Sequence, residues 1–150
     1  MNHPIPRVPL LLGAAGLLPF LVLALMLWAL PAAYTDTAVT WLLAYSAVIL
    51  CFVGALHWGV ALVHPEMGDT ERGLLMAWSV VPALVAWIAL ALPPLVGMLV
   101  MLAMFTVQLV ADHILVRRFP VTPWFLHLRQ RLTVVVVVCL ALAATYLGIN

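Results

Sequence analysis

The sequence predicts an all-α integral membrane protein, a compact bundle of five transmembrane helices in the N-in/C-out orientation. Composition is the first reason, because 67% of the 150 residues are hydrophobic and only 7% are charged. So few charged side chains cannot coat a soluble domain of this size, and the bilayer must act as the solvent. The other two reasons are the division of the chain into five apolar stretches and the one-sided placement of its arginines.

Five stretches hold the roughly 20 apolar residues that a helix needs to cross about 30 Å of hydrocarbon. The predicted spans are 8–30, 39–63, 74–92, 94–116 and 128–147. The first is longer than the apolar core of a secretory signal peptide, so we interpret it as a span. The loops between spans are short, and residues 1–150 are predicted to form a single transmembrane domain.

The arginines predict the orientation. With five crossings, the N-terminal segment, the second loop and the fourth loop lie on one side of the membrane. All six basic residues other than histidine fall in or beside these segments: Arg7, Arg72, Arg117, Arg118, Arg129 and Arg131. Because basic residues that flank spans are retained in the cytoplasm, the N-terminus is predicted inside and the C-terminus outside.

Polar residues inside the spans identify a candidate site. Charge at membrane depth is costly, so such side chains face protein or water. At about 100° per residue, Ser46, His57 and His64 share one face of the second span, and Gln108 and Asp112 share one face of the fourth. With neighbours of similar depth on the third and fifth spans, they predict a polar pocket on the cytoplasmic side. Its candidate residues are His57, Ser79, Gln108, Asp112, Arg129 and Thr133, with Trp58 and Trp124 adjacent.

Two interpretations of this polar layer remain open. In the structural one, Asp112 pairs with Arg129 or His57, and the layer ties the helices together. In the functional one, the layer is a cytoplasm-facing pocket for a proton, a quinone or a lipid head group, with His57 and Asp112 as the titrating pair.

Other chemistries find less support in the sequence. His57 and His113 resemble a pair of axial haem ligands, but His113 lies about 100° around the helix from Asp112. No group of side chains has metal-ligand spacing, so no metal site is predicted. No nucleophile elbow, phosphate loop or zincin motif is present, and no catalytic residue is predicted. The sequence therefore favours a non-enzyme without a cofactor, quinone and haem being the weak alternatives, and without a nucleic-acid partner.

Several segments carry a family resemblance. They are Gly-Ala-Ala-Gly-Leu-Leu-Pro-Phe at 13–20, Gly-Ala-Leu-His-Trp-Gly at 54–59, Ser-Val-Val-Pro at 79–82, Trp87, Asp112, Trp124, Leu128-Arg129 and Leu132-Thr133. They resemble the transmembrane-protein-69-like proteins, a family of unknown function found in bacteria and, as a mitochondrial inner-membrane relative, in eukaryotes. The chain departs from the family pattern mildly at Ala55 and Phe125. The resemblance implies a multi-pass protein of the bacterial inner membrane and brings no established activity.

Together these observations predict a small polytopic inner-membrane protein that acts as a non-catalytic accessory, assembly or structural component. Its predicted partners are the lipid bilayer and either a larger inner-membrane complex or further copies of itself. The alternative is a carrier or redox-linked protein that binds a proton, quinone or lipid in the polar pocket.

Overall fold

A computed structural model describes residues 5–150 of the chain. Within this range the chain forms five long helices and one short 3₁₀ turn, and no strand. The helices are α1 (Arg7–Ala29), α2 (Thr35–Val63), α3 (Asp69–Leu90), α4 (Pro94–Arg118) and α5 (Trp124–Ile149), with the 3₁₀ turn at Ala32–Tyr34. All five are long and apolar enough to cross a membrane. The predicted all-α fold with five membrane-spanning helices is confirmed.

The helices extend beyond the predicted apolar spans. α3 begins at Asp69 instead of residue 74, and α5 begins at Trp124 instead of residue 128. Asp69 and Glu71 lie in the first turn of α3, where carboxylates interact favourably with the exposed N–H groups. Hydropathy detects only the part of a helix that meets hydrocarbon, so it underestimates helices whose ends are polar.

Short connections make successive helices run in opposite directions, so α1 and α5 lie side by side in the same direction. Gly13 approaches Leu132 toward one end of this pair, and the rings of Trp28 and Tyr146 lie 5.5 Å apart toward the other. α2 is the most buried helix and α1 the most exposed. The largest fully buried apolar side chains of the core are Phe20, Leu27, Leu42, Leu50, Met98, Met101, Phe105 and Leu140.

Two glycines allow α3 to approach its neighbours closely. A Cβ atom on Gly54 of α2 would lie 2.8 Å from the carbonyl oxygen of Ser79, and one on Gly97 of α4 would lie 2.5 Å from that of Ala89. Real Cβ atoms do not come this close to a backbone oxygen, so both positions need glycine. His57 follows Gly54 by one helical turn and so lies on the same, inner face of α2. Its side chain is buried there.

Arg72 closes the connection between α2 and α3. Its guanidinium donates to the carbonyl oxygens of Ala61, of His64 at 3.2 Å and of Met67 at 3.1 Å. Ala61 lies in the last turn of α2, where the carbonyl oxygens receive no hydrogen bond from an N–H group of the same helix. One side chain therefore caps α2 and holds the segment that leads into α3.

Candidate functional site

Asp112 lies at the centre of a buried polar cluster. It is 0% exposed, and it receives a hydrogen bond from Arg129, whose Nε lies 2.8 Å from Asp112 Oδ2. His57 approaches the other carboxylate oxygen, with 3.6 Å between His57 Nε2 and Asp112 Oδ1. Because these residues belong to α2, α4 and α5, the carboxylate links three helices. Arg129 balances its charge inside the bundle.

Gln108 extends the cluster by one turn of α4. Its side-chain amide nitrogen lies 2.9 Å from His57 Nδ1. When this amide donates, Nδ1 accepts, and a neutral imidazole carries its proton on Nε2. That proton faces the carboxylate of Asp112, so the amide orients the histidine toward the acidic group.

Thr133 lies one turn after Arg129 on α5, and its side chain is 3% exposed. Ser46, Thr106 and Thr145 each donate to the carbonyl oxygen four residues earlier in their own helix, at 2.6, 3.0 and 2.9 Å. Within residues 5–150 the Thr133 hydroxyl has no such partner. A buried hydroxyl without a hydrogen bond costs about 1–3 kcal/mol, so a free donor here calls for an explanation.

Further unpartnered polar atoms concentrate in the same cluster. In the described part of the chain they include His57 Nε2, Gln108 Oε1, Asp112 Oδ1, Arg129 Nη2 and Thr133 Oγ1. Arg129 is 7% exposed, so its free Nη2 group is a charged donor in the protein interior. Since His57 Nε2 and Asp112 Oδ1 face each other at 3.6 Å, the hydrogen-bonding capacity that the protein's own side chains leave unused is that of Gln108 Oε1, Arg129 Nη2 and Thr133 Oγ1.

Two cavities flank the cluster. The α1/α5 cavity, between α1, α2, α4 and α5, has a volume of about 440 Å³, and the side chains in its wall that carry polar atoms are those of Trp124, Arg129 and Thr133. The α3/α4 cavity, of about 350 Å³, is bordered by His57 and, nearer the surface, by the half-buried Glu71 and the exposed Arg118. The sequence predicted one pocket around this layer, and its predicted residues border both cavities, Arg129 and Thr133 at the first and His57 at the second.

The structure brings some of the predicted site residues together and leaves others apart. His57, Gln108, Asp112 and Arg129 meet in the cluster, and Thr133 lies beside it at the wall of the α1/α5 cavity. Ser79 is buried, but its hydroxyl donates at 2.6 Å to the carbonyl oxygen of Met76 in its own helix. Trp124 borders the α1/α5 cavity. Trp58 is 43% exposed and lines neither cavity.

Sequence reasoning missed the contribution of α1. Gly13, Gly16 and Phe20 line the α1/α5 cavity. Their i, i+3, i+7 spacing places them on one helical face. That spacing was the available signal, although nothing polar on α1 drew attention to it. The segments 13–20 and 128–133, which carry part of the family resemblance, thus meet across one cavity.

His113 forms a second polar link between α4 and α5. Its Nε2 lies 2.8 Å from the side-chain nitrogen of Gln130, and its Nδ1 lies 2.8 Å from the carbonyl oxygen of Leu109. Both ring nitrogens of His113 thus have hydrogen-bond partners on α4 and α5, and neither is directed at His57. Within residues 5–150, no group of three or more histidine, cysteine or carboxylate side chains is arranged to hold a metal ion.

The apolar outer surface and the buried polar cluster define a multi-pass helical membrane protein. Residues 5–145 match the family described as "Protein of unknown function (DUF3429)", and the chain belongs to this family. It is 35% identical over 134 residues to transmembrane protein 69 of Xenopus tropicalis, which confirms the predicted family. The match covers 88% of this chain and 51% of the frog protein, so the chain spans about half the length of that relative. No solved structure matches the chain.

Proposed function

We propose that this chain is a non-enzymatic protein of the bacterial inner membrane that binds an amphipathic molecule from the bilayer in its α1/α5 cavity. One observation carries the proposal: Arg129 and Thr133 line a largely apolar cavity, and each has a buried donor, Arg129 Nη2 and the Thr133 hydroxyl, that has no partner among residues 5–150. A ligand that accepts hydrogen bonds offsets the cost of leaving them unpaired.

The dimensions and lining of the cavity support a ligand with an apolar body. Its volume of about 440 Å³ falls within the range of roughly 300–1,000 Å³ that is typical of small-molecule sites. Leu12 and Phe52 border it and are 70% and 64% exposed on the outer apolar surface of the bundle. The cavity therefore reaches the surface that lipid covers, which favours lateral entry from the bilayer over entry from water.

The orientation N-in/C-out belongs to the same proposal. Arg7 begins α1, Arg72 lies in the first turn of α3, and Arg118 ends α4. In an alternating bundle these helix ends share one side, and basic residues favour the cytoplasmic side. The assignment to a bacterial inner membrane rests on the family resemblance.

A cavity-filling variant tests the binding function. Gly16 lines the cavity, and a Cβ atom on it would meet nothing nearer than the Tyr45 hydroxyl at 3.9 Å, so we expect the side chain of Gly16→Leu to occupy part of the cavity. Gly59→Leu is the matched control, because Gly59 is exposed and a Cβ there meets nothing within 4 Å. Both variants and the wild type are extracted with their lipids and weighed by native mass spectrometry.

The wild type and Gly59→Leu are expected to retain a small molecule that Gly16→Leu lacks. Equal retention by all three would refute binding in this cavity. A wild type that carries no small molecule but a stoichiometric protein partner would instead support the accessory, assembly or structural role.

A further inference from the structure

We infer that the α1/α5 cavity takes a quinone, whose head group carries neutral carbonyl acceptors and whose chain is apolar. The inference rests on the proposed binding function and adds the chemical class of the ligand. It follows from the charge balance, the donor pattern and the aromatic lining of the cavity.

Charge balance favours a neutral head group. The positive charge of Arg129 is already paired with Asp112, through the 2.8 Å bond from Nε to Oδ2. A phosphate or carboxylate at Arg129 Nη2 would add a second negative charge beside a fully buried carboxylate, where water does not screen the repulsion. A neutral carbonyl accepts from the same Nη2 group without that cost.

The donor pattern favours a head group that only accepts hydrogen bonds. Arg129 and Thr133 are i and i+4 on α5, so their side chains lie on one face of the helix. The acceptors of the cluster, Asp112 and Gln108, belong to α4 and are not among the residues that line this cavity. The carbonyl oxygens of a quinone need donors alone, whereas the N–H or O–H of an amine or alcohol head would find only the Thr133 hydroxyl as a side-chain acceptor in this wall.

The aromatic lining suits a flat ring. Phe20, Phe105, Trp124 and Phe125 all border the cavity, and the rings of Phe20 and Phe105 lie edge to face with 6.1 Å between their centroids. Aromatic side chains pack well on a planar head group. Gly16 leaves space opposite, because it has no side chain and only the Tyr45 hydroxyl is near.

Binding of decylubiquinone to the purified protein in nanodiscs tests the inference. Titration is followed by equilibrium dialysis for the wild type, Thr133→Val, Thr133→Ser and Thr145→Val. Thr145→Val is the matched control, because this exposed hydroxyl on the same helix already bonds to Ala141. Thr133→Val removes one donor at nearly constant shape and is expected to weaken binding about tenfold. Thr133→Ser and Thr145→Val are expected to bind within about twofold of the wild type.

Phosphatidylglycerol and decylubiquinol serve as competing probes. Both are expected to displace decylubiquinone weakly, the first because it is anionic and the second because its hydroxyl groups donate. Stronger binding of phosphatidylglycerol, or equal binding by Thr133→Val and Thr145→Val, would overturn the quinone assignment.

The two proposals fail in different ways. If decylubiquinone does not bind while Gly16→Leu still loses a native small molecule, the ligand class is wrong and the binding function stands. If Gly16→Leu loses nothing and decylubiquinone does not bind, both are wrong. Thermal melting of each variant verifies folding, and Thr133→Ser provides the hydroxyl-retaining test if Thr133→Val is unstable.

Discussion

Replacing Asp112 with asparagine measures what its charge contributes to the bundle. Asparagine keeps the size and one oxygen acceptor for Arg129 Nε, but the guanidinium is left buried without its carboxylate. Removing one partner of a buried ion pair costs about 3–5 kcal/mol. Since one hydrogen bond survives, we expect the lower end, about 3 kcal/mol. For a chain of this size that corresponds to a fall in melting temperature of roughly 6–12 °C.

A double-mutant cycle separates the pairing from the loss of either side chain. Arg129→Gln alone leaves the Asp112 carboxylate buried and is expected to cost a similar amount. The double variant Asp112→Asn/Arg129→Gln leaves neither charge, so its loss should fall short of the sum by about 2 kcal/mol. Thermal denaturation in a mild detergent, followed by helical circular dichroism, provides the measurement.

The pair formed by Glu71 and Arg118 provides the control. Its atoms lie 2.5 Å apart, but Arg118 is exposed. Water and salt screen such a pair, so Glu71→Gln should cost about 0.5 kcal/mol or less. The reasoning fails if Asp112→Asn costs no more than Glu71→Gln, or if the two losses at Asp112 and Arg129 simply add.

Two more predictions concern topology and packing. A periplasm-active reporter should give signal after Asn150 and none at Gly68, and the reverse pattern would contradict the N-in/C-out orientation. Gly54→Ala should destabilise the bundle by about 1–3 kcal/mol, because the added Cβ meets the backbone of α3 at Ser79. Gly59→Ala should be neutral or slightly stabilising, and equal melting temperatures for the two variants would show that α2 and α3 do not need this close contact.

The five spans could be predicted because the bilayer imposes both a length and an apolar composition on each helix. The polar start of α3 at Asp69 could not, because it lies outside the hydrocarbon and leaves no hydropathy signal. The way in which the helices pack against one another could not be predicted. The close approaches at Gly54 and Gly97 depend on how whole helices cross, and a single glycine in a sequence does not reveal which backbone it faces.

The polar cluster could be predicted in part. Polar and charged side chains at membrane depth must face protein or water, so depth and helical phase were enough to select His57, Asp112 and Arg129. Ser79 has a similar depth, but its hydroxyl bonds within its own helix, which depth cannot reveal. The α1 wall of the cavity could not be predicted, because residues 8–30 are apolar on every face of the helix. A helical period can be recognised in a sequence only where apolar residues recur among polar ones.

The bonds from Arg72 to the end of α2 have a consequence for the biogenesis of this protein. In the proposed orientation, the same guanidinium keeps the second loop in the cytoplasm and completes the last turn of α2. Arg72 then contributes both to membrane insertion, together with the other arginines, and to hairpin closure, so an Arg72 variant with altered orientation cannot be interpreted by charge alone. The structure records no side-chain hydrogen bond for Arg7 or Arg117 within residues 5–150. Substitutions at these two positions therefore test more cleanly how positive charge determines the orientation in the membrane.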